Sequence, residues 1–289
     1  MGIGVHGLVF TGTFDEKGIV TAVEGAESAG FDILELPLMD PDNFDSKMAR
    51  RIIDNSGLSV TASLGLQNST DISSTDAATV EAGRTVLMKC LDHLAEMGGS
   101  HLCGVLYSAM GKYSAPATEA GIANSQRVIT ELSEAAAARG ISVALEVVNR
   151  YETNVFNTSK AGLSFLKGVG SQNVSLHLDT YHMNIEESDM WQPILDAKDK
   201  LGYVHIGESH RGYLGTGSVD FNNFFRALAR INFQGPVVFE SFSSAVVSAD
   251  LSNTLGIWRN LWNDSSDLAS HANRFIRDMQ LAVDTISLH

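Results

Sequence analysis

Cysteine is nearly absent: Cys90 and Cys103 are the two in 289 residues. That excludes a disulfide scaffold and a cysteine-rich zinc site, and predicts reduced thiols in a cytoplasmic protein. Basic residues are also scarce, 20 Lys+Arg against 34 Asp+Glu, giving a formal net charge of −14. Phosphate binding needs clustered cations, so nucleic acid is not an expected partner. The acidic balance favours a neutral or cationic ligand, or a metal. No apolar run reaches the roughly 18 residues of a membrane helix. The first ten residues lack the basic stretch and cleavage site of a signal peptide. Neither export nor a membrane partner is expected. No low-complexity tract or linker breaks the chain.

What the chain does have is alternation. Short apolar runs at 3–10, 31–36, 59–64, 101–106, 141–147, 174–179, 203–207 and 236–240 predict eight strands. Longer helical patterns separate them. In 76–97, Val80, Leu87, Leu91 and Leu94 share one face; in 119–139, Ile122, Ile129, Leu132 and Ala136 do. Gly30, Gly57, Gly99, Gly140, Gly202 and Gly235 stand before strands, where a helix that has just ended needs a turning residue. Eight strand–helix units in a chain of this length predict an α/β fold, a single (β/α)8 TIM barrel spanning 1–289. A doubly wound open sheet is the alternative, but no Gly-x-Gly-x-x-Gly follows the first strand. The extended C-terminal segment, about 243–289, exceeds one closing helix. Its Leu255, Ile257, Trp258, Leu261 and Trp262 predict a helix packed on the barrel, with a lid or subunit contact as the alternative.

Chemistry in such a barrel sits at the C-terminal ends of the strands. Strand five ends in Glu146, strand six in Asp179, strand seven carries His205, and strand eight ends in Glu240. Strand residues alternate faces, and bulky apolar ones should face the helices. Val143, Leu145 and Val147 therefore turn Glu146 inward. Leu176 and Leu178 do the same for His177 and Asp179, Val204 and Ile206 for His205, and Val237 and Phe239 for Glu240. Three carboxylates converging on one axis cost several kcal/mol per ion unless protonated, paired or bound to a cation. No Lys or Arg points inward on these strands, so a divalent cation is favoured. Oxygen-rich ligation with one imidazole suits Mn²⁺ or Mg²⁺. His177 reads as structural. Glu152, His182 and Arg211 follow the ligand candidates by a few residues and read as functional; His210 reads as a solvated loop residue.

These residues carry a resemblance. The stretches 145–153, 177–184, 205–211 and 239–242 resemble the ketose 3-epimerases, the D-tagatose, D-allulose (D-psicose) and L-ribulose 3-epimerase family of the xylose-isomerase-like barrels. The Glu, Asp, His, Glu set alone is also that of hydroxypyruvate isomerases and inosose dehydratases, which remain the alternative. The resemblance implies one divalent ion on Glu146, Asp179, His205 and Glu240, Mn²⁺ first, with Mg²⁺ or Co²⁺ possible. It implies Glu146 and Glu240 as the catalytic proton-transfer pair acting through a cis-enediolate. It implies Glu152, His182 and Arg211 on the ketose oxygens, and His6, Gly104, Met110 and Phe242 along the rest of the sugar. His6 stands where many members carry another aromatic residue. The implied partner is a free ketose, D-fructose/D-allulose first, then L-ribulose/L-xylulose and D-tagatose/D-sorbose, in a homodimer or homotetramer. Xylose-isomerase chemistry itself would need two metals and a catalytic lysine. A DNA-repair endonuclease of related shape would need a basic face, and a non-enzymatic sugar-binding protein would bind D-fructose without turnover.

Overall fold

The structure, a computed structural model, describes residues 2–287. Met1, Leu288 and His289, the ends of the expected span, lie outside the described residues. Eight strands form a closed, all-parallel barrel in sequence order: β1 Ile3–His6, β2 Ile33–Pro37, β3 Ser59–Leu66, β4 His101–Ala109, β5 Ser142–Val147, β6 Val174–Asp179, β7 Leu201–Ile206 and β8 Val237–Phe239. Helices surround it: α1 Glu16–Ser28, α2 Ser46–Ile53, α3 Ala77–Met97, α4 Glu119–Ala137, α5 Ser159–Leu166, α6 Thr180–Glu186, α7 Gln192–Ala197, α8 Phe221–Arg230, α9 Ala249–Leu255 and α10 Ser265–Ser287. No helix among the described residues is long and apolar enough to cross a membrane.

The alternation rule holds on the strands that matter. Val143, Leu145, Leu176, Leu178, Val204, Ile206, Val237 and Phe239 are fully buried in the main core between strands and helices. Each such side chain contributes about 1.5–3 kcal/mol relative to exposure. Their inward neighbours Ala144 and Val238 join Cys103 and Tyr203 in a small plug inside the barrel. The plug fills the barrel floor and leaves the strand ends above it for polar groups.

Three expectations need correction. β1 stops at His6 rather than residue 10, because His6 Nδ1 accepts the Leu8 N–H (3.2 Å) and turns the chain into a 3-10 helix over Gly7–Val9. Of the six glycines expected to turn the chain, Gly30 and Gly140 have positive φ; Gly98, not Gly99, caps α3. The apolar stretch 255–262 is not one helix. α9 ends at Leu255, Gly256 (φ +67°) caps it, and the chain runs on irregularly. Ile257 and Trp262 are buried, and Trp262 Nε1 donates to Ser241 Oγ at 3.0 Å, whereas Trp258 is 76 % exposed.

Candidate active site

The strand ends open into a cavity of about 580 Å³. His6, Gly104, Met110, Glu146, Glu152, His182, His205, Arg211, Glu240 and Phe242 all line it. Asp179 is fully buried beside them and does not line the cavity. His210 lies outside, paired with Thr216 Oγ1 at 3.0 Å, and His177 sits beneath His205 with ring centroids 4.1 Å apart. Gly104 has φ +108°, and a Cβ there would meet the Leu64 carbonyl oxygen at 2.4 Å, so only glycine fits that stretch of wall.

His205 is the hub. Its Nδ1 lies 3.5 Å from Glu240 Oε1, 3.8 Å from Asp179 Oδ2 and 3.9 Å from Glu146 Oε1. Asp179 spends its other oxygen on the N-terminus of α6, accepting the N–H of Tyr181 (2.5 Å) and His182 (3.3 Å). Glu240 spends its other oxygen on Arg211 Nη1 at 3.1 Å. Asp179 Oδ2 and His205 Nδ1 are buried without a hydrogen-bond partner. Two orphaned polar atoms facing each other are rare in a folded protein and point to a missing ion or water. Glu146, Asp179 and His205 offer ligand atoms within 4.8 Å of one another, a set that could hold a divalent cation. Glu240 stands outside that tightest group yet faces the same nitrogen. Cys103, His177 and His205 are equally close, but the Cys103 thiol donates to the Ala62 carbonyl at 3.4 Å and burial holds it well above its usual range.

Around this hub the other polar groups hold one another. His182 Nδ1 accepts from the backbone N–H of Asn149 (3.1 Å) and from its Nδ2 (2.9 Å). The proton of the neutral ring is therefore on Nε2, which faces Glu146 Oε1 at 3.5 Å. Asn149 Nδ2 also donates to Glu152 Oε1 at 3.0 Å. The Arg211 guanidinium lies over the Tyr181 ring (3.9 Å) and the Phe242 ring (4.9 Å), and reaches Glu152 at 3.5 Å. Arg211 has φ +60°, a strained backbone for a long side chain. Its carbonyl accepts from Ser241 Oγ (2.5 Å), and its N–H donates to the Glu208 carbonyl (2.8 Å), which holds that conformation.

Burial sets the electrostatics. Glu146 is pushed well above the usual carboxylate range, by burial first, with Glu240, Asp179 and Glu152 adding and His205 opposing. Glu240 is raised to about 7, again by burial first, against the pull of His205 and Arg211. Burial lowers His182 to about 3 and His6 to about 4, so both are neutral near pH 7. His205 runs the other way: burial opposes its charge, but Glu35, Glu240 and Glu146 hold it well above its ordinary value. Glu152 and Glu240 likewise keep Arg211 charged despite burial. Acid outweighs base among these groups, the deficit a divalent cation would fill.

A family model described as Xylose isomerase-like TIM barrel matches residues 23–279. The chain is 58 % identical to a ketose 3-epimerase of Arthrobacter globiformis over 289 residues, 100 % of both chains. It is 52 % identical over 274 residues to an L-ribulose 3-epimerase of Methylomonas sp. (strain DH-1), covering 95 % of this chain and 96 % of the relative. The chain belongs to the ketose 3-epimerase family. A crystal structure of a D-allulose 3-epimerase from Methylomonas sp. in complex with D-allulose matches with a TM-score of 0.95 and 51 % identity, over 96 % of this chain and 97 % of that one. The resemblance drawn from the strand-end motifs is thereby borne out.

Within this ketose 3-epimerase fold, two groups escaped the reading of the sequence. Glu35, fully buried on β2, hydrogen-bonds His205 Nε2 at 2.9 Å. The same alternation rule would have found it, since Leu34 and Leu36 face the helices and turn Glu35 inward. Asn149 has no such signal; only the fold brings it to His182 and Glu152.

Proposed function

We propose that the protein is a metal-dependent isomerase that inverts C3 of free ketoses, D-fructose/D-allulose first, with L-ribulose/L-xylulose and D-tagatose/D-sorbose as further pairs. One observation carries this: Glu146 and Glu240 reach the same cavity from β5 and β8, and burial raises the pKa of both. Inverting a carbon α to a carbonyl needs a base on one face and an acid on the other. A single base would hand the proton back to the face it left. Two carboxyl groups, each held above the usual carboxylate range, remove that limit when one is ionised and the other protonated. They exchange roles when the reaction runs backwards.

The remaining residues bind and orient the sugar. His182 turns its Nε2–H into the cavity as a neutral donor, and Arg211 supplies a fixed guanidinium for the oxygens near the reacting carbon. Glu152 accepts from sugar hydroxyls and holds Arg211 in place. His6, Phe242, Gly104 and Met110 shape the cavity along the rest of the chain of carbons. A divalent cation on Glu146, Asp179, His205 and Glu240, Mn²⁺ first, would supply stabilisation of the negative charge that develops on the ketose oxygens in the cis-enediolate.

Solvent deuterium tests the reaction. In D₂O, each ketose of a panel should acquire deuterium at C3 as its C3 epimer forms, followed by NMR. An aldose product, a dehydrated ring, or no exchange at C3 with any ketose would exclude the epimerase reading. Arg211→Ala separates binding of the cation from orientation of the sugar. Its kcat/KM should fall by about 10²-fold or more, the cost of losing a positioning group, with metal content by elemental analysis unchanged. Metal lost together with activity would contradict the role given to Arg211.

A further inference from the structure

Behind His205 lies a carboxylate that the proposed reaction does not use. Glu35 Oε2 accepts the hydroxyl proton of Tyr203 at 2.6 Å and faces His205 Nε2 at 2.9 Å. Tyr203 has one proton and gives it to Glu35, so the Thr61 hydroxyl, 2.8 Å away, donates to the tyrosine oxygen. Glu35 Oε1 has no hydrogen-bond partner and faces His6 Nε2 at 3.5 Å. His6, Thr61, Tyr203 and His205 come from β1, β3 and β7, so Glu35 is a buried anchor for several strands at once.

The consequence falls on His205. An ionised carboxylate accepts and cannot donate, so the proton between the two residues belongs to His205 Nε2. That leaves Nδ1, aimed at Glu146, Asp179 and Glu240 in the direction where it has no hydrogen-bond partner, as the nitrogen that gives up its proton and offers its lone pair when a cation binds. The His177 ring, set edge-on at 85° and 4.1 Å, blocks rotation of the imidazole out of this orientation. A metal-ligating histidine needs its other ring nitrogen held in this way, because the held nitrogen fixes both tautomer and ring direction.

We propose that Glu35 is a positioning residue: by accepting from His205 Nε2 it turns His205 Nδ1 toward the divalent cation assigned to Glu146, Asp179 and Glu240. The assignment rests on the reading of that quartet as a cation site. Position and charge can be separated experimentally. Glu35→Gln keeps an acceptor oxygen in place without the charge. Glu35→Asp keeps the charge but withdraws the acceptor by one methylene. Glu35→Leu removes both at similar volume.

Mn²⁺ affinity is measured by titration calorimetry on each full-length variant, with the fold checked by near-ultraviolet circular dichroism. Pulsed EPR of bound Mn²⁺ reports the imidazole nitrogen directly. Affinity should fall by about 10–100-fold in Glu35→Leu and Glu35→Asp, the range for losing such a supporting contact, with the nitrogen modulation weakened. Glu35→Gln should stay within a few-fold of wild type and keep the modulation. If the leucine variant does not fold, the glutamine and aspartate variants decide. Aspartate matching wild type while glutamine fails would overturn positioning in favour of charge alone. Wild-type affinity and modulation in all variants would overturn it outright. Wild-type protein that binds Mn²⁺ but epimerises no ketose would sink the proposed function and leave this assignment to the variants. Wild-type protein that binds no Mn²⁺ would sink both.

Discussion

Glu240→Gln and Glu146→Gln each abolish epimerisation, with kcat down by at least about 10⁴-fold, the upper range for a single proton-transfer group. Glutamine matches glutamate in shape, so the helix-facing core that carries the fold is untouched. What it lacks is the ability to take or give a proton. The two variants should nevertheless differ from each other. Each retains one carboxyl group, serving one face of the sugar. With Glu146 replaced, Glu240 can still remove and return the C3 proton of whichever epimer presents that proton to it. That epimer should exchange C3 hydrogen for solvent deuterium without inverting. The other variant should do the same to the opposite epimer. NMR of recovered D-fructose and D-allulose after incubation in D₂O reads both outcomes. Near-wild-type turnover in either variant, or exchange of both epimers by one variant, would end the two-base reading.

The strand ends were legible because a parallel barrel imposes one simple rule. Residues facing the helices must be apolar, so a polar residue between two such positions must face the axis. Glu146 and His205 are flanked on both sides in this way, Asp179 and Glu240 on the strand side by Leu178 and Phe239, and the three carboxylates face His205 Nδ1. Glu35 obeys the rule equally well, between Leu34 and Leu36, but it sits in the middle of β2 and not at the strand end where chemistry is expected. The rest was not local. The turn after β1 follows from a hydrogen bond between the His6 ring and the Leu8 backbone, which no strand pattern encodes. Arg211 owes its orientation to a positive φ and to two aromatic rings from separate stretches of chain, Tyr181 and Phe242. The apolar run 255–262 reads as continuous in sequence, but Gly256 ends the helix and sends Trp258 outward while Trp262 turns in. Periodicity reports which residues want burial. It does not report where a left-handed residue breaks the period.

Stripping the divalent cation with a chelator should remove all measurable epimerase activity, and added Mn²⁺ should restore it. The thermal consequence carries more information than the loss of rate. A cation that binds only the folded chain raises its stability by RT ln(1 + [L]/Kd), about 2.7 kcal/mol at 100 times Kd. That gain must depend on pH, because bound carboxylates have to be ionised and a ligating imidazole neutral. In the stripped protein, Glu240 has a folded pKa of about 7, above its unfolded value, and Glu146 is raised in the same direction. Such groups favour the folded state below their unfolded pKa, and that contribution disappears as pH rises through the folded one. As pH rises, the stripped protein therefore loses stability through these two groups and through His205, whose folded pKa is also raised, over the range in which the cation competes with fewer protons. The depressed pKa values of His6 and His182 act the same way with or without the cation and cancel in the difference. The separation in Tm between Mn²⁺-loaded and stripped protein should widen steadily from pH 5 to pH 8 in scanning calorimetry. A separation that stays constant or narrows would mean that Glu146 and Glu240 do not share the cation's site, and full activity after chelation would remove the cation from the reaction.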